Sequence, residues 1–177
     1  MATTSTTEPE HVRCMRLALD EASKCEPTST AFCVGCLITA PSSDGSYSTI
    51  ATGYSRELEG NTHAEQNALT KLASTSSYSS GLPPSTRLYT TMEPCSLRLS
   101  GNLPCVDRIL QTSIQQTYVA VLEPDDFVQD VQGVQKLLNT GRQVIVVEDP
   151  GLKEDCLRVA RRGHLSKGPV EPGAAAK

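Results

Sequence analysis

The sequence predicts an α/β fold: one central sheet with helices on both faces. Three observations carry that prediction. Helical and strand patterns alternate along the chain. The last two apolar runs, YVAVL (118–122) and VIVV (144–147), are separated by a helical pattern, which favours a parallel pair joined by a crossover. The chain has 177 residues, the size of one domain, and such a chain buries roughly 70% of its unfolded surface.

The elements follow in order. Val12, Met15, Leu19 and Ala22 share one helical face, giving a helix over about 10–24 that ends before Pro27. FCVGCLITA (32–40) is a short apolar run, as a buried strand requires. PSSDGS (41–46) is turn chemistry, and YSTIATGY (47–54) returns as the second strand of a hairpin. Ala64, Ala68, Leu69 and Leu72 mark a helix starting near His63, followed by a loop over 74–85. Strand RLYTTM (87–92) leads straight into Glu93-Pro94-Cys95. Pro104 opens a helix over CVDRILQ, since proline is favoured at a helix start. Val131, Val134, Leu137 and Leu138 lie on the crossover helix, and Leu152, Cys156, Leu157 and Ala160 on a closing one. The Thr/Ser-rich residues 1–9 are expected to form a disordered lead and 166–177 a tail, leaving 10–165 as the folded domain.

Composition narrows the function. Apolar residues make up 38% and charged residues 20%, which excludes collagen, coiled coil and a wholly disordered chain. The longest apolar runs are four to five residues, too short to span a bilayer, so no membrane partner is expected. MATTSTTEPE has no secretory pattern. A net charge of −4 repels a polyphosphate, so nucleic acid is not an expected partner. Seven cysteines, an odd count, fit a reducing compartment, and a cytoplasmic location is expected.

The residues that carry chemistry are His63-Ala64-Glu65, Pro94-Cys95 and Pro104-Cys105. A histidine and two thiolates supply three ligands of a tetrahedral zinc and leave the fourth position open, as in a catalytic site. Zinc lowers the pKa of water from 15.7 to about 7. Glu65 would stand beside that water without binding the metal, taking its proton and delivering it to a leaving amine. In a continuous helix the two cysteines would lie about 15 Å apart. Ser100-Gly101-Asn102 and Pro104 break such a helix, so 96–104 must loop out and return. Other readings of the same residues exist. Thr62-x-x-Glu65 is also a capping box, with the glutamate serving the helix start. Cys33-x-x-Cys36 could join the other pair in a four-thiolate structural zinc. Residues three apart on a strand point to opposite faces, however, so packing accounts better for that pair. Cys14, Cys25 and Cys156 have no partner motif.

His63-x-Glu65 followed by Pro94-Cys95 and a later cysteine resembles the signature of the zinc-dependent cytidine deaminase superfamily. Nucleotide and nucleobase members usually place two residues between the cysteines. Here nine intervene, SLRLSGNLP, similar to the pyrimidine deaminases of riboflavin biosynthesis. VGCLI (34–38), HAEQNAL (63–69), LYTTMEPCS (88–96) and NLPCVDRIL (102–110) resemble that family too, and TMEPCSLRLSGNLPC looks most like its fungal branch. Thr30-Ala31-Phe32 stands where bacterial members place an asparagine between prolines. Gly53-Tyr54-Ser55-Arg56 replaces a stretch that often carries a histidine.

The resemblance implies a three-layer α/β/α cytidine-deaminase-like fold, its central sheet five-stranded and mixed with the last two strands parallel. Residues 10–165 would be the deaminase domain. With no reductase domain after residue 165, a deaminase without reductase is expected. It implies one Zn2+ per chain on His63, Cys95 and Cys105, Glu65 as the catalytic proton carrier, and backbone N–H groups near Ala64 and Cys95 stabilising developing charge. The reaction implied is hydrolytic deamination of 2,5-diamino-6-ribitylamino-4(3H)-pyrimidinone 5′-phosphate, by a homodimer. Arg98 offers a forked donor for phosphate, and Asn102 and Asn61 suit a ring edge. Arg161-Arg162-Gly163-His164 is a further basic cluster. The alternatives are a cytosine or cytidine nucleotide deaminase and, from another class, a structural-zinc interaction module.

Overall fold

The predicted elements follow one another in the expected order in the computed structural model, which describes residues 8–75, 78, 81–124 and 132–164. Helix α1 spans Glu10–Ser23 and leads to the hairpin β1 (Gly35–Pro41) and β2 (Tyr47–Tyr54). Helix α2 (Ala64–Ala73), strand β3 (Arg87–Thr90) and helix α3 (Cys105–Leu110) follow. Strand β4 (Gln116–Val119), helix α4 (Gly133–Asn139), strand β5 (Gln143–Val146) and helix α5 (Pro150–Ala160) complete the fold. Most of the expected lead, the tail over 166–177 and Val131 lie outside the described residues.

The sheet order is β2-β1-β3-β4-β5. β1 is antiparallel to both neighbours, whereas β3, β4 and β5 are parallel. The parallel set thus includes β3 beside the last two strands, because α3 carries the chain back between β3 and β4 as α4 does between β4 and β5. Side-chain alternation divides the core into two layers. Leu37, Tyr89 and Tyr118 meet Val12, Met15 and Ala18 of α1 and Leu152 and Cys156 of α5. On the other face Cys36, Ile38 and Leu88 meet Ala64 and Ala68 of α2, Val106 and Ile109 of α3 and Leu137 of α4.

Two elements differ from the sequence reading. β1 begins at Gly35 rather than at residue 32, because the three preceding residues bond outside the ladder. The Cys33 N–H donates to the Ala160 carbonyl of α5 at 2.9 Å and the Val34 N–H to the Ser55 hydroxyl at 3.0 Å. β5 reads as a buried run, yet it is the sheet edge. Val146 is 45% exposed and Val144 and Ile145 only partly covered, since α4 is short and buries only Gly133 and Leu137.

Glycine sets the distance between helix and sheet at Gly53. A Cβ there would lie 2.4 Å from the Ala64 carbonyl oxygen and 2.6 Å from the Ala68 nitrogen. Both are backbone atoms, so a side chain would push the start of α2 off the sheet. Gly53→Ala is expected to cost about 1–3 kcal/mol by overpacking and to weaken metal retention as well, because His63 adjoins that helix start. Urea unfolding and the zinc content of the same preparation check this; a variant as stable and as zinc-rich as the parent would contradict it.

Candidate active site

The site lies where the parallel strands end, the position at which open α/β sheets place ligands. β3 delivers Thr90 and the turn through Cys95, while β4 delivers the segment reaching Glu123. The N-terminus of α2 faces them and α3 closes the side. His63 is the N-cap of α2, with extended backbone (φ −97°, ψ 159°), so its ring leaves the helix and turns to the cysteines. Its Nδ1 lies 3.4 Å from Cys95 Sγ and 3.5 Å from Cys105 Sγ. The loop 96–104 does leave and return: the Cys105 N–H approaches Cys95 Sγ at 3.4 Å and the Val106 N–H bonds the Cys95 carbonyl at 3.2 Å.

The ligand atoms of His63, Cys95 and Cys105 all lie within 4.8 Å of one another. One imidazole and two sulfurs, with no fourth protein donor in the group among the described residues, suit a tetrahedral zinc with one open position. The Cys95 thiol is lowered to about 4, chiefly by its hydrogen bond with Cys105 and then by its contact with His63. Cys105 stands well above the ordinary thiol value, because that same bond and full burial favour its proton. The pair therefore holds one negative charge ready for a cation.

The capping box does not form. Thr62 donates its hydroxyl to the Leu58 carbonyl at 3.0 Å and accepts from Asn67 at 3.0 Å. Glu65 is thereby left to the site. It is buried, and burial followed by the charge on Cys95 pushes its carboxyl up from the usual range. Its Oε1 accepts from the Thr90 hydroxyl at 3.1 Å.

A cavity of about 190 Å³ opens over these groups, lined by His63, Glu65 and Cys95 and walled by two stretches, Thr30-Ala31-Phe32 and Leu97-Arg98-Leu99-Ser100. Among the residues singled out for substrate, Asn61 and Arg98 line it, whereas Asn102 is exposed and outside the lining. Arg98 is 7% exposed. It donates to Gln66 at 2.9 Å and to the Asn61 carbonyl, so it ties the loop to the start of α2 while facing the cavity. Ala64 is the first residue of α2, where backbone N–H groups have no intrahelical acceptor. In the basic cluster at the end of α5, Arg162 bonds the Ala22, Ser23 and Cys25 carbonyls behind α1, and His164 bonds the Ala31 carbonyl in the cavity wall.

Sequence reasoning missed Glu93, Arg56 and Glu123, which also line the cavity. Glu93 accepts from the backbone N–H of Val134 at 2.7 Å and of Glu123 at 3.2 Å. α4 also packs tightly on Pro94, where a Cβ on Gly133 would lie 1.9 Å from the carbonyl oxygen. Together these fix the turn that carries Cys95. Burial, then Cys95, Glu65 and Glu93, pushes the Glu123 carboxyl up to about 7. Its position just past a predicted parallel strand was the available signal.

Residues 8–121 match the family described as the cytidine and deoxycytidylate deaminase zinc-binding region. The chain is 42% identical over 160 residues to the diaminohydroxyphosphoribosylamino-pyrimidine deaminase of Schizosaccharomyces pombe, covering 89% of this chain and 36% of that protein. It thus spans about a third of the length of that curated relative. Its fold matches the Rib2 deaminase of Aspergillus oryzae (C-terminal deletion mutant) with a TM-score of 0.80 at 37% identity, covering 89% of this chain and 94% of that one. A complex of the same deletion mutant with DARIPP matches with a TM-score of 0.74 at 36% identity, over 87% and 91%. Among the described residues no helix is long and apolar enough to cross a membrane.

His63→Ala, Cys95→Ala and Cys105→Ala are each expected to lose most of one zinc per chain, measured by elemental analysis of purified protein. Full zinc in any of the three would remove that residue from the ligand set.

Proposed function

The chain belongs to the family of the cytidine and deoxycytidylate deaminase zinc-binding region, and from that premise we propose that it hydrolyses the ring amine of a phosphorylated 2,5-diamino-6-ribitylamino-pyrimidinone, in the manner of a fungal riboflavin-pathway deaminase. One observation carries the catalytic part. A buried carboxylate, Glu65, lines the same cavity as His63 and Cys95 but belongs to no ligand group. A structural zinc site has four protein ligands and no use for such a group. The substrate part draws support from the pyrimidine deaminase of S. pombe and the DARIPP complex of the A. oryzae protein, together with the long loop between the cysteines.

His63, Cys95 and Cys105 would hold zinc, which when bound supplies the Lewis acidity that makes water nucleophilic near neutral pH. The chain's own groups do the rest. Thr90 fixes Oε1 of Glu65, and the carboxyl lines the cavity. Glu65 takes a proton from water and delivers it to the ring nitrogen, then takes the second proton from the hydroxyl added to the ring carbon and gives it to the departing amine. Its raised proton affinity suits a group that must both accept and donate near neutral pH. The backbone N–H of Ala64 stands at the positive end of α2 and steadies charge developing at the reacting carbon. Exposed Leu99 (83%) and half-exposed Leu97 (55%) form an apolar rim over which the ribityl chain runs. Arg98 then meets the phosphate with the part of its guanidinium not bonded to Gln66 and Asn61.

Ammonia release from the ribityl diaminopyrimidine phosphate, beside cytosine, cytidine and deoxycytidylate, tests the substrate. Turnover of the first alone is expected; turnover of a cytosine compound alone would overturn the assignment. Glu65→Gln should keep zinc and lose about 10²–10⁴-fold in rate.

Arg98→Ala should weaken the phosphorylated substrate by about 1.5–3 kcal/mol, roughly 10- to 150-fold. It should do much less to the dephosphorylated analogue. Equal losses on both would confine Arg98 to holding the loop on α2.

A further inference from the structure

Behind the cavity wall, Cys25 after α1 and Cys33 before β1 come together, the Cys33 thiol donating to the Cys25 carbonyl at 3.9 Å. Both are buried. Arg56 Nη2 lies 2.8 Å from Cys25 Sγ and 3.6 Å from Cys33 Sγ. The same guanidinium donates to the Glu26 carbonyl at 2.9 Å and the Phe32 carbonyl at 3.2 Å. Arg162 closes the other side, bonding the Cys25 carbonyl at 2.8 Å. Among the described residues no carboxylate forms an ion pair with either arginine. Two cations thus meet only carbonyls and sulfurs, and the sulfurs are the only groups among those partners that can take a negative charge. Both arginines are half-buried, and a positive charge close to a thiol favours its thiolate.

We propose that Cys25 and Cys33 form a dithiol that hydrogen peroxide oxidises to a disulfide, and that this closure acts on the cavity wall through Arg56. The pair shares one charge. Cys33 is lowered to about 6, first by the hydrogen bond from Cys25 and then by the two arginines, while Cys25 is raised. The thiolate attacks one peroxide oxygen, the O–O bond breaks, and the departing hydroxide takes a proton from solvent and leaves as water, with a sulfenic acid behind. The second thiol attacks that sulfur, forming the S–S bond and releasing a second water. Two thiols are oxidised and one peroxide is reduced. Burial restricts the reaction to an oxidant about as small as water, arriving past Phe32 and Arg56, which both line the cavity. Closure removes the anion under Arg56. That side chain holds Phe32, and its backbone N–H bonds the Thr62 carbonyl at 2.7 Å, next to His63.

The test treats zinc-loaded protein with equimolar hydrogen peroxide, then blocks free thiols and maps peptides. A Cys25–Cys33 linked peptide, lighter by two hydrogens and reversed by reductant, is expected, with zinc retained. Cys25→Ser and Cys33→Ser should each abolish the link. Free Cys25 and Cys33 beside oxidised Cys95 or Cys105 would overturn the proposal. The second readout rests on the deaminase reading: KM should rise several-fold with kcat little changed, and return on reduction. An unchanged KM with the disulfide formed would overturn the coupling to the wall. The peptide map stands whichever substrate is turned over, so the two failures are distinguishable.

Discussion

Helix α2 rests on the backbone of β2 at Gly53, with no side chain between them. The Ala64 carbonyl and the Ala68 nitrogen occupy the space a Cβ would need, and the rest of the site is built from that contact. It puts the N-terminus of α2 level with the end of β3. There His63 reaches Cys95 and Cys105, and Glu65 reaches the Thr90 hydroxyl on the neighbouring sheet face. A helix standing off by one methyl would move both side chains together, away from groups anchored on other elements.

The electrostatics around that contact point the same way. Glu65, Glu93, Glu123 and the Cys95 sulfur crowd one cavity, with His63, Arg56 and Arg98 as its basic members. Glu93 is satisfied by two backbone N–H donors, and Glu65 and Glu123 relieve the crowding by holding protons more tightly than usual. The sulfurs share one proton, with the Cys105 N–H and the His63 ring beside them. A divalent cation there would neutralise the thiolates and draw down the proton affinity of the surrounding carboxyls. The two arginines stand apart from this acidic centre in their bonding: Arg98 braces the loop, and Arg56 braces the opposite wall. The cavity thus has acidic chemistry at its floor and cationic charge at its sides, a polarity that suits a phosphorylated base with its ring amine inward.

Local residue chemistry made much of this legible in the sequence. His63, Glu65, Cys95 and Cys105 stand out because each adjoins a strand end or helix start and because proline and glycine forbid a continuous helix between the cysteines. The sheet was readable from apolar runs, although the edge position of β5 was not, since periodicity reports apolarity and not neighbours. Thr62-x-x-Glu65 shows where sequence ran out. A capping box and a catalytic carboxylate share one pattern, and only the third-dimension partners Leu58, Asn67 and Thr90 decide between them. Asn102 and Arg98 were equivalent as loop residues, yet the turn through Gly101, at φ 75°, leaves one exposed and the other buried. Glu93, Glu123 and Arg56 escaped notice because their partners lie between about 20 and 40 positions away, on other elements.

The central claim is a zinc held by three protein ligands with its fourth position open to water, beside a carboxylate that does not bind it. Zinc X-ray absorption on the purified protein reads this directly. The account predicts two sulfurs at about 2.3 Å and two lighter nitrogen or oxygen neighbours at about 2.0–2.1 Å. Only one of those light atoms would be lost in a substitution of His63. A shell of four protein ligands, with three or four sulfurs, would make the site structural and contradict the account.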